Sequence, residues 1–185
     1  AHIKDVFAYL KILGNFRDEV SWLRVLNMCE GIGPITAQLI YQRLMEMDSL
    51  DDLLEIKITL AAKAGSGWQR IYDLFLNLIK NKKEDVSRLI NIIIEDYGSY
   101  LMEKYTDYRY RQDDLEQLAL FAGSYKSLEL FLNEMSLQES YSAKETAPEN
   151  NGAVILSTVH QAKGLEWEAV FIINLTDQAF PHPLC

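Results

Sequence analysis

"WQRIYDLFLNLIK", residues 68–80, decides the fold class. Ile71, Leu74, Phe75, Leu78 and Ile79 recur at helical spacing and form an apolar stripe wider than a surface helix needs. The segment is therefore expected at the centre of a helical bundle. Upstream, "AHIKDVFAYLKIL" at 1–13 puts Val6, Tyr9, Leu10 and Leu13 at the same spacing, and Gly14-Asn15 supplies a stop. Further helices are expected near 17–28, 34–47, 86–104 and 113–135, with a shorter one around 50–56. Five of the ten tyrosines fall in 97–110, where packing with a hydrogen-bonding tip explains most of them better than base stacking does.

The chain has 185 residues, and 49% of them are hydrophobic, enough for a real core. No apolar run approaches the roughly 20 residues needed to cross a membrane, and the first residues lack a secretory cleavage pattern. A soluble, cytoplasmic protein is expected. Cys29 and Cys185 are the only cysteines, which argues against a disulfide framework or a metal cluster. The net charge of -9 excludes a general basic coat for nucleic acid, although not a local contact. Charge is unevenly spread: Lys57 to Lys83 holds six basic residues against one acid, whereas Glu84 to Glu116 holds nine acids against four bases. The first stretch could present a basic edge to a polyanion, and a solvated helix end is the plainer reading of "KNKKED" at 80–85.

After Leu137 the composition changes. "QESYSAKETAPENNG", with Pro148 and Gly152, reads as a linker over 138–152. Residues 153–159 and 169–175 then look like two buried strands, too few to be stable alone. The fold class is therefore mainly α: a helical subdomain through about residue 137, joined to an incomplete α/β domain of which much is missing, with the end at Cys185 read as truncation. The loop between the strands would present Thr158, His160, Gln161 and Lys163 at a sheet end, a common place for a ligand. Thr158 and His160 alternate with Val159, so a continuing strand would aim both to one side. Lys163-Gly164 would turn the chain with a positive charge near an anion, and Glu166 could accept hydrogen bonds from hydroxyls. His2 and His182 are not at ligand spacing from His160, so no metal site is expected.

A second constellation is "CEGIGPITAQLIYQRL", residues 29–44. Gly31 and Gly33 flank Ile32, Pro34 suits an early helical position, and Ala37, Leu39 and Ile40 begin a packed helix. Such a turn can converge backbone N–H groups at a helix N-terminus, where a phosphate docks without a basic side chain. Its pattern looks like the hairpin of helix-hairpin-helix DNA-binding modules. On that reading Gly31, Ile32, Gly33 and Thr36 would touch duplex DNA, and valine at both glycines would weaken binding without unfolding the helices. An ordinary interhelical turn is the plainer alternative.

The run "VILSTVHQAKGLEWEAVFIINLTDQAFPHP", residues 154–183, resembles closely the fifth conserved motif and its continuation in superfamily 1 DNA helicases of the UvrD, Rep and PcrA kind. "IKDVFAYLKIL" resembles the helix after the fourth motif, "DEVSWLRVLNMCEGIGPITAQLI" the entrance to the inserted 2B subdomain, and "RQDDLEQL" the R-x-E-N-L segment near its end. Asp113-Asp114 replaces the usual Glu-Asn there. The resemblance implies a connecting helix from the second motor domain at 1–14, a helical 2B subdomain at 15–137, a linker at 138–152 and part of a RecA-like 2A motor domain at 153–185. It implies that Thr158 and His160 contact single-stranded DNA, that Gln161, Lys163 and Gly164 shape the motif loop, and that Glu166 lies at the ATP side near the ribose.

The parent protein would be an ATP-dependent 3′ to 5′ helicase in repair, replication or recombination, using ATP and Mg2+. This chain contains no phosphate loop, acidic Walker B strand or final arginine motif, so it is expected to hold no catalytic residue, to bind no cofactor stably and not to hydrolyse ATP. Expected partners are single-stranded and duplex DNA, the missing motor domains and repair or replication proteins. A regulatory protein-interaction module, or a helicase-nuclease subunit, is the alternative.

Overall fold

The computed structural model describes residues 1–144, 154–158 and 162–173, which divide between two units, Ala1–Lys144 and Glu145–Cys185. In the first unit every regular element is helical: α1 His2–Gly14, α2 Glu19–Leu26, α3 Pro34–Leu44, a 3-10 turn Leu50–Glu55, α4 Ala62–Lys80, α5 Val86–Lys104, α6 Tyr108–Ala122 and α7 Leu128–Lys144. None of these helices is long and apolar enough to cross a membrane.

Helix α4 buries the stripe expected of it, with Ile71, Leu74, Phe75 and Leu78 inside and Ile79 packed at the edge. Phe75 meets Trp22 at 4.7 Å and Tyr9 at 6.0 Å between ring centroids, so three helices share one aromatic centre. Trp22 keeps its polar tip satisfied by donating Nε1–H to the Phe16 carbonyl at 2.7 Å. Helix α1, read as a connecting segment, is an inner member of this unit and packs against α2, α5, α6 and α7. Of the tyrosines in 97–110, Tyr97 is buried, Tyr100, Tyr105 and Tyr108 pack at the core edge, and Tyr110 is exposed.

One buried carboxylate and one half-buried one fasten the helices. Asp5 on α1 is 5% exposed; it accepts the Tyr97 hydroxyl from α5 at 2.5 Å and pairs with Arg24 of α2 at 2.6 Å. Burial, then this bond, raises the Tyr97 phenol well above its ordinary value, so the hydroxyl stays protonated and donates. Arg70 of α4 grips Asp96 of α5 through Nε and Nη2 at 2.9 and 2.8 Å, a bidentate pair.

His2 adds a third tie. A guanidinium can only donate, so Arg111 Nη1 at 3.1 Å makes His2 Nδ1 the acceptor, and Nε2 therefore donates to Asp114 Oδ2 at 3.0 Å. This is the neutral ring. Burial lowers the His2 pKa below its ordinary 6.5, with the Asp114 bond opposing. The unfolded chain then takes up the proton first as pH falls, so stability is lost below about pH 6.5. We expect His2→Gln to shrink the drop in Tm between about pH 7.5 and pH 5.5; an undiminished drop in the variant would remove His2 from the pH response.

In the first unit the structure departs from the sequence reading in four places. The single helix expected over 113–135 is two, broken at 123–127, where Gly123 ends α6 and the Ser127 hydroxyl accepts from Leu130 N–H at 3.2 Å. Phe121, Tyr125 and Phe131 cluster at this corner, with the Tyr125 and Phe131 rings 5.2 Å apart. Helix α4 starts six residues before the expected Trp68, and α7 runs to Lys144, into the segment read as linker. Leu39, expected in the core, is 55% exposed because α3 buries only Ala37, Ile40 and Leu44.

A further departure is in the second unit. No strand forms among the described residues of 153–159 and 169–175, and Val154, Leu156, Phe171 and Ile173 are each more than three-quarters exposed. A strand is held by ladder partners, and these runs have none among the described residues.

Candidate nucleic-acid interface

Two glycine turns carry the expected site residues. The first follows α2. Ile32 N–H donates to the Cys29 carbonyl at 3.2 Å, closing a four-residue turn with Gly31 third and at φ 80°, the conformation a type II turn reserves for glycine. Gly31 is also pinned from outside. A Cβ placed on it would lie 2.7 Å from the Lys63 side chain and 2.8 Å from the Lys63 backbone.

The first turn of α4 is shaped to receive this hairpin. A Cβ on Gly67 would lie 2.6 Å from the Glu30 carbonyl oxygen, so glycine there lets the two segments close. Lys63 Nζ, on the same turn, donates to Glu30 Oε1 at 2.8 Å. Each partner moves the other in the direction a pair should: Lys63 holds the Glu30 carboxyl below its usual range, and Glu30 raises the Lys63 ammonium. Both side chains are well exposed, so the pair orients more than it stabilises.

What the hairpin presents is the N-terminus of α3. Gly33 is the cap residue, at φ -90° and ψ 174°, and no side chain closes it. A Cβ there meets nothing within 4 Å. The first capping bond is Ala37 N–H to the Gly33 carbonyl at 2.9 Å; Pro34 has no N–H, and among the described residues the amides of Gly33, Ile35 and Thr36 donate to nothing. Those amides and the positive end of the helix dipole make a surface that fits an anionic oxygen.

Ile32 has another task. Its side chain is 5% exposed and its amide is already bonded, so it anchors the hairpin and cannot reach a ligand as expected. Ile35, in the first turn of α3, is instead 81% exposed. The double valine exchange also has to be reread. At Gly31 it would unseat the hairpin from Lys63, whereas at Gly33 it meets open space.

The basic stretch does not form one edge. Arg70 is consumed by Asp96 and Lys63 is shared with Glu30. Lys80 closes α4, about 26 Å along the helix from Lys63 at 1.5 Å per residue, and Lys82 and Lys83 follow in the turn beyond it. Any phosphate contact at the hairpin therefore depends on backbone amides more than on lysines.

The second turn lies in the second unit. Leu165 N–H donates to the Ala162 carbonyl at 3.0 Å with Gly164 third and at φ 85°, repeating the glycine placement of the first turn. Ala162 N–H also donates to the Thr158 carbonyl at 2.9 Å. Lys163 and Glu166 are exposed on either side of Gly164. His160 and Gln161 lie outside the described residues. No group of three or more His, Cys, Asp or Glu among the described residues could hold a metal ion.

Residues 78–184 match the UvrD-like helicase C-terminal domain. Among curated proteins, the chain is 30% identical over 196 aligned residues to the ATP-dependent DNA helicase PcrA of Staphylococcus epidermidis strain RP62A, covering 97% of this chain and 26% of that protein. It is 28% identical to PcrA of Staphylococcus aureus strain Mu50 over the same shares. The chain thus spans about a quarter of the length of the curated relatives it matches. No solved structure matches it. With its two glycine turns in place and more than half its length matched by one family model, the chain belongs to the UvrD-like helicases.

Proposed function

We propose that this chain is the accessory and linking part of an ATP-dependent DNA helicase that moves 3′ to 5′ along single-stranded DNA and unwinds duplex. Residues 15–137 are its 2B subdomain, 1–14 the connecting helix and 153–185 part of the 2A motor domain. The observation that carries the duplex assignment is the open α3 N-terminus, where Gly33 leaves the Ile35 and Thr36 amides free to hold one backbone phosphate. Such a contact follows the duplex without reading its sequence, which suits an enzyme that must unwind any sequence.

On the motor side, Thr158 and His160 grip the single strand, and the Gly164 turn carries Glu166 toward the ATP ribose. ATP with Mg2+ would supply the phosphoryl chemistry from parts of the protein beyond this chain. The names of the PcrA relatives, and the absence of a phosphate loop in this sequence, support that division of labour.

Strand displacement by the full-length protein tests the reading. ATP-dependent unwinding is expected with a 3′-tailed duplex and not with a 5′-tailed one. In the same protein, His160→Ala is expected to weaken the stimulation of ATPase by single-stranded DNA. Equal unwinding from both tails, or unwinding without ATP, would overturn the polarity and the motor assignment; unchanged stimulation would remove His160 from the strand.

A further inference from the structure

Residues 56–61, "IKITLA", join the 3-10 turn to α4 and have the form of a strand without a sheet. Both ends are extended, Ile56 at φ -77° and ψ 133° and Ala61 at φ -60° and ψ 151°, and the chain between them runs without a turn or bend. Burial alternates along it. Ile56, Ile58 and Leu60 pack on the core, while Lys57, Thr59 and Ala61 are exposed. This period of two is what one face of a sheet produces. Yet among the described residues no hydrogen bond uses the backbone N–H or C=O of Lys57, Ile58, Thr59 or Leu60.

The unpaired segment borders a groove. Residues 57–60, with Leu39, Arg43 and Glu46 from α3 and its C-terminal turn, line an open space of about 460 Å³. Leu39 is 55% exposed, so the helical wall of the groove offers an apolar side chain. Arg43 and Glu46 neutralise each other through bonds of 2.9 and 3.0 Å. That leaves Lys57, which has no ion pair among the described residues, as the groove's uncompensated charge.

We propose that this groove captures an extended, acidic peptide by adding it as a strand along residues 57–60. A peptide in this position would pair the main-chain groups on one edge of the segment and set apolar side chains against Leu39. It would also bring a carboxylate to Lys57. Main-chain pairing supplies affinity in this mode, and the alternating side chains supply selectivity. The occupant is a protein and not DNA, because a nucleic-acid strand offers no ladder of alternating donors and acceptors at the peptide repeat and the groove holds only one free cation among its described residues.

The test uses the whole chain and a capped peptide of alternating valine and glutamate, read by residue-specific amide hydrogen exchange. At saturating peptide, exchange at one alternate pair, Lys57 with Thr59 or Ile58 with Leu60, is expected to slow about tenfold or more, because only the edge facing the peptide is paired. Lys57→Glu, an exposed change, is expected to weaken the peptide about fivefold or more with Tm unchanged. Binding without slowed exchange would mean side-chain docking alone and would overturn strand addition. So would slowing by duplex DNA and not by peptide, or no slowing by the peptide at all.

Discussion

Asp5→Ala is expected to destabilise the chain by about 3 kcal/mol. The carboxylate is almost fully buried and serves two partners from two other helices. Its removal leaves the Tyr97 hydroxyl without an acceptor in the core and strips Arg24 of its counter-charge. Each loss counts because the orphaned group remains away from water. Arg24 is 39% exposed and can recover part of its solvation, which keeps the figure at the lower end for a broken buried pair. Tyr97→Phe removes only one donor and should cost about 1 kcal/mol. Urea denaturation of the two variants beside the wild type measures both values. A loss below about 1 kcal/mol for Asp5→Ala would show that the helices are held by apolar packing alone.

The second large effect is on binding. Gly33→Asp is expected to lower duplex affinity about tenfold or more, or about 1.4 kcal/mol, while leaving the fold intact. Asp is among the best N-cap residues and Gly is slightly worse, so the change should hold or slightly raise the stability of α3. The new carboxylate would accept from the same amides that a phosphate needs, and would repel the phosphate as well. Gly33→Asn separates these causes, because it caps the helix without the charge and should give a smaller loss. The backbone permits both, since φ -90° suits any residue and a Cβ at Gly33 meets nothing.

The features of the fold that could be read from sequence are those that depend on neighbours along one chain segment. Asp85 caps α5 by accepting from Arg88 N–H, and the helix spans the residues its pattern predicts. The apolar stripe of 68–80 is buried as its spacing requires. The errors arise where a distant segment decides. Gly65 and Gly67 look like a poor helix start, yet α4 runs through both, and at Gly67 the close approach of the Glu30 carbonyl leaves no room for a side chain. At Gly123 one residue outweighs the surrounding helical pattern, since the Phe121, Tyr125 and Phe131 rings pack only if the chain turns.

At the candidate site the glycine turns were legible as turns, and the free amides at Gly33 follow from the proline after it. The inward set of Ile32 and the loss of Arg70 from the basic edge were not. Both depend on α4 and α5, whose positions no local pattern encodes. The apolar runs around Thr158 carry a strand pattern, but strand formation depends on ladder partners that no pattern along one run supplies.

The most direct test of the hairpin assignment is fluorescence anisotropy of the wild-type and Gly33→Asp chains with labelled 3′-tailed duplex at two salt concentrations, with thermal melts run beside it. Binding by the wild type is expected to weaken as salt rises, with about tenfold weaker binding by Gly33→Asp at the lower salt and equal or higher Tm in the variant. Equal affinities for two equally folded chains, or no duplex binding by the folded wild type, would contradict the assignment of the α3 N-terminus to DNA.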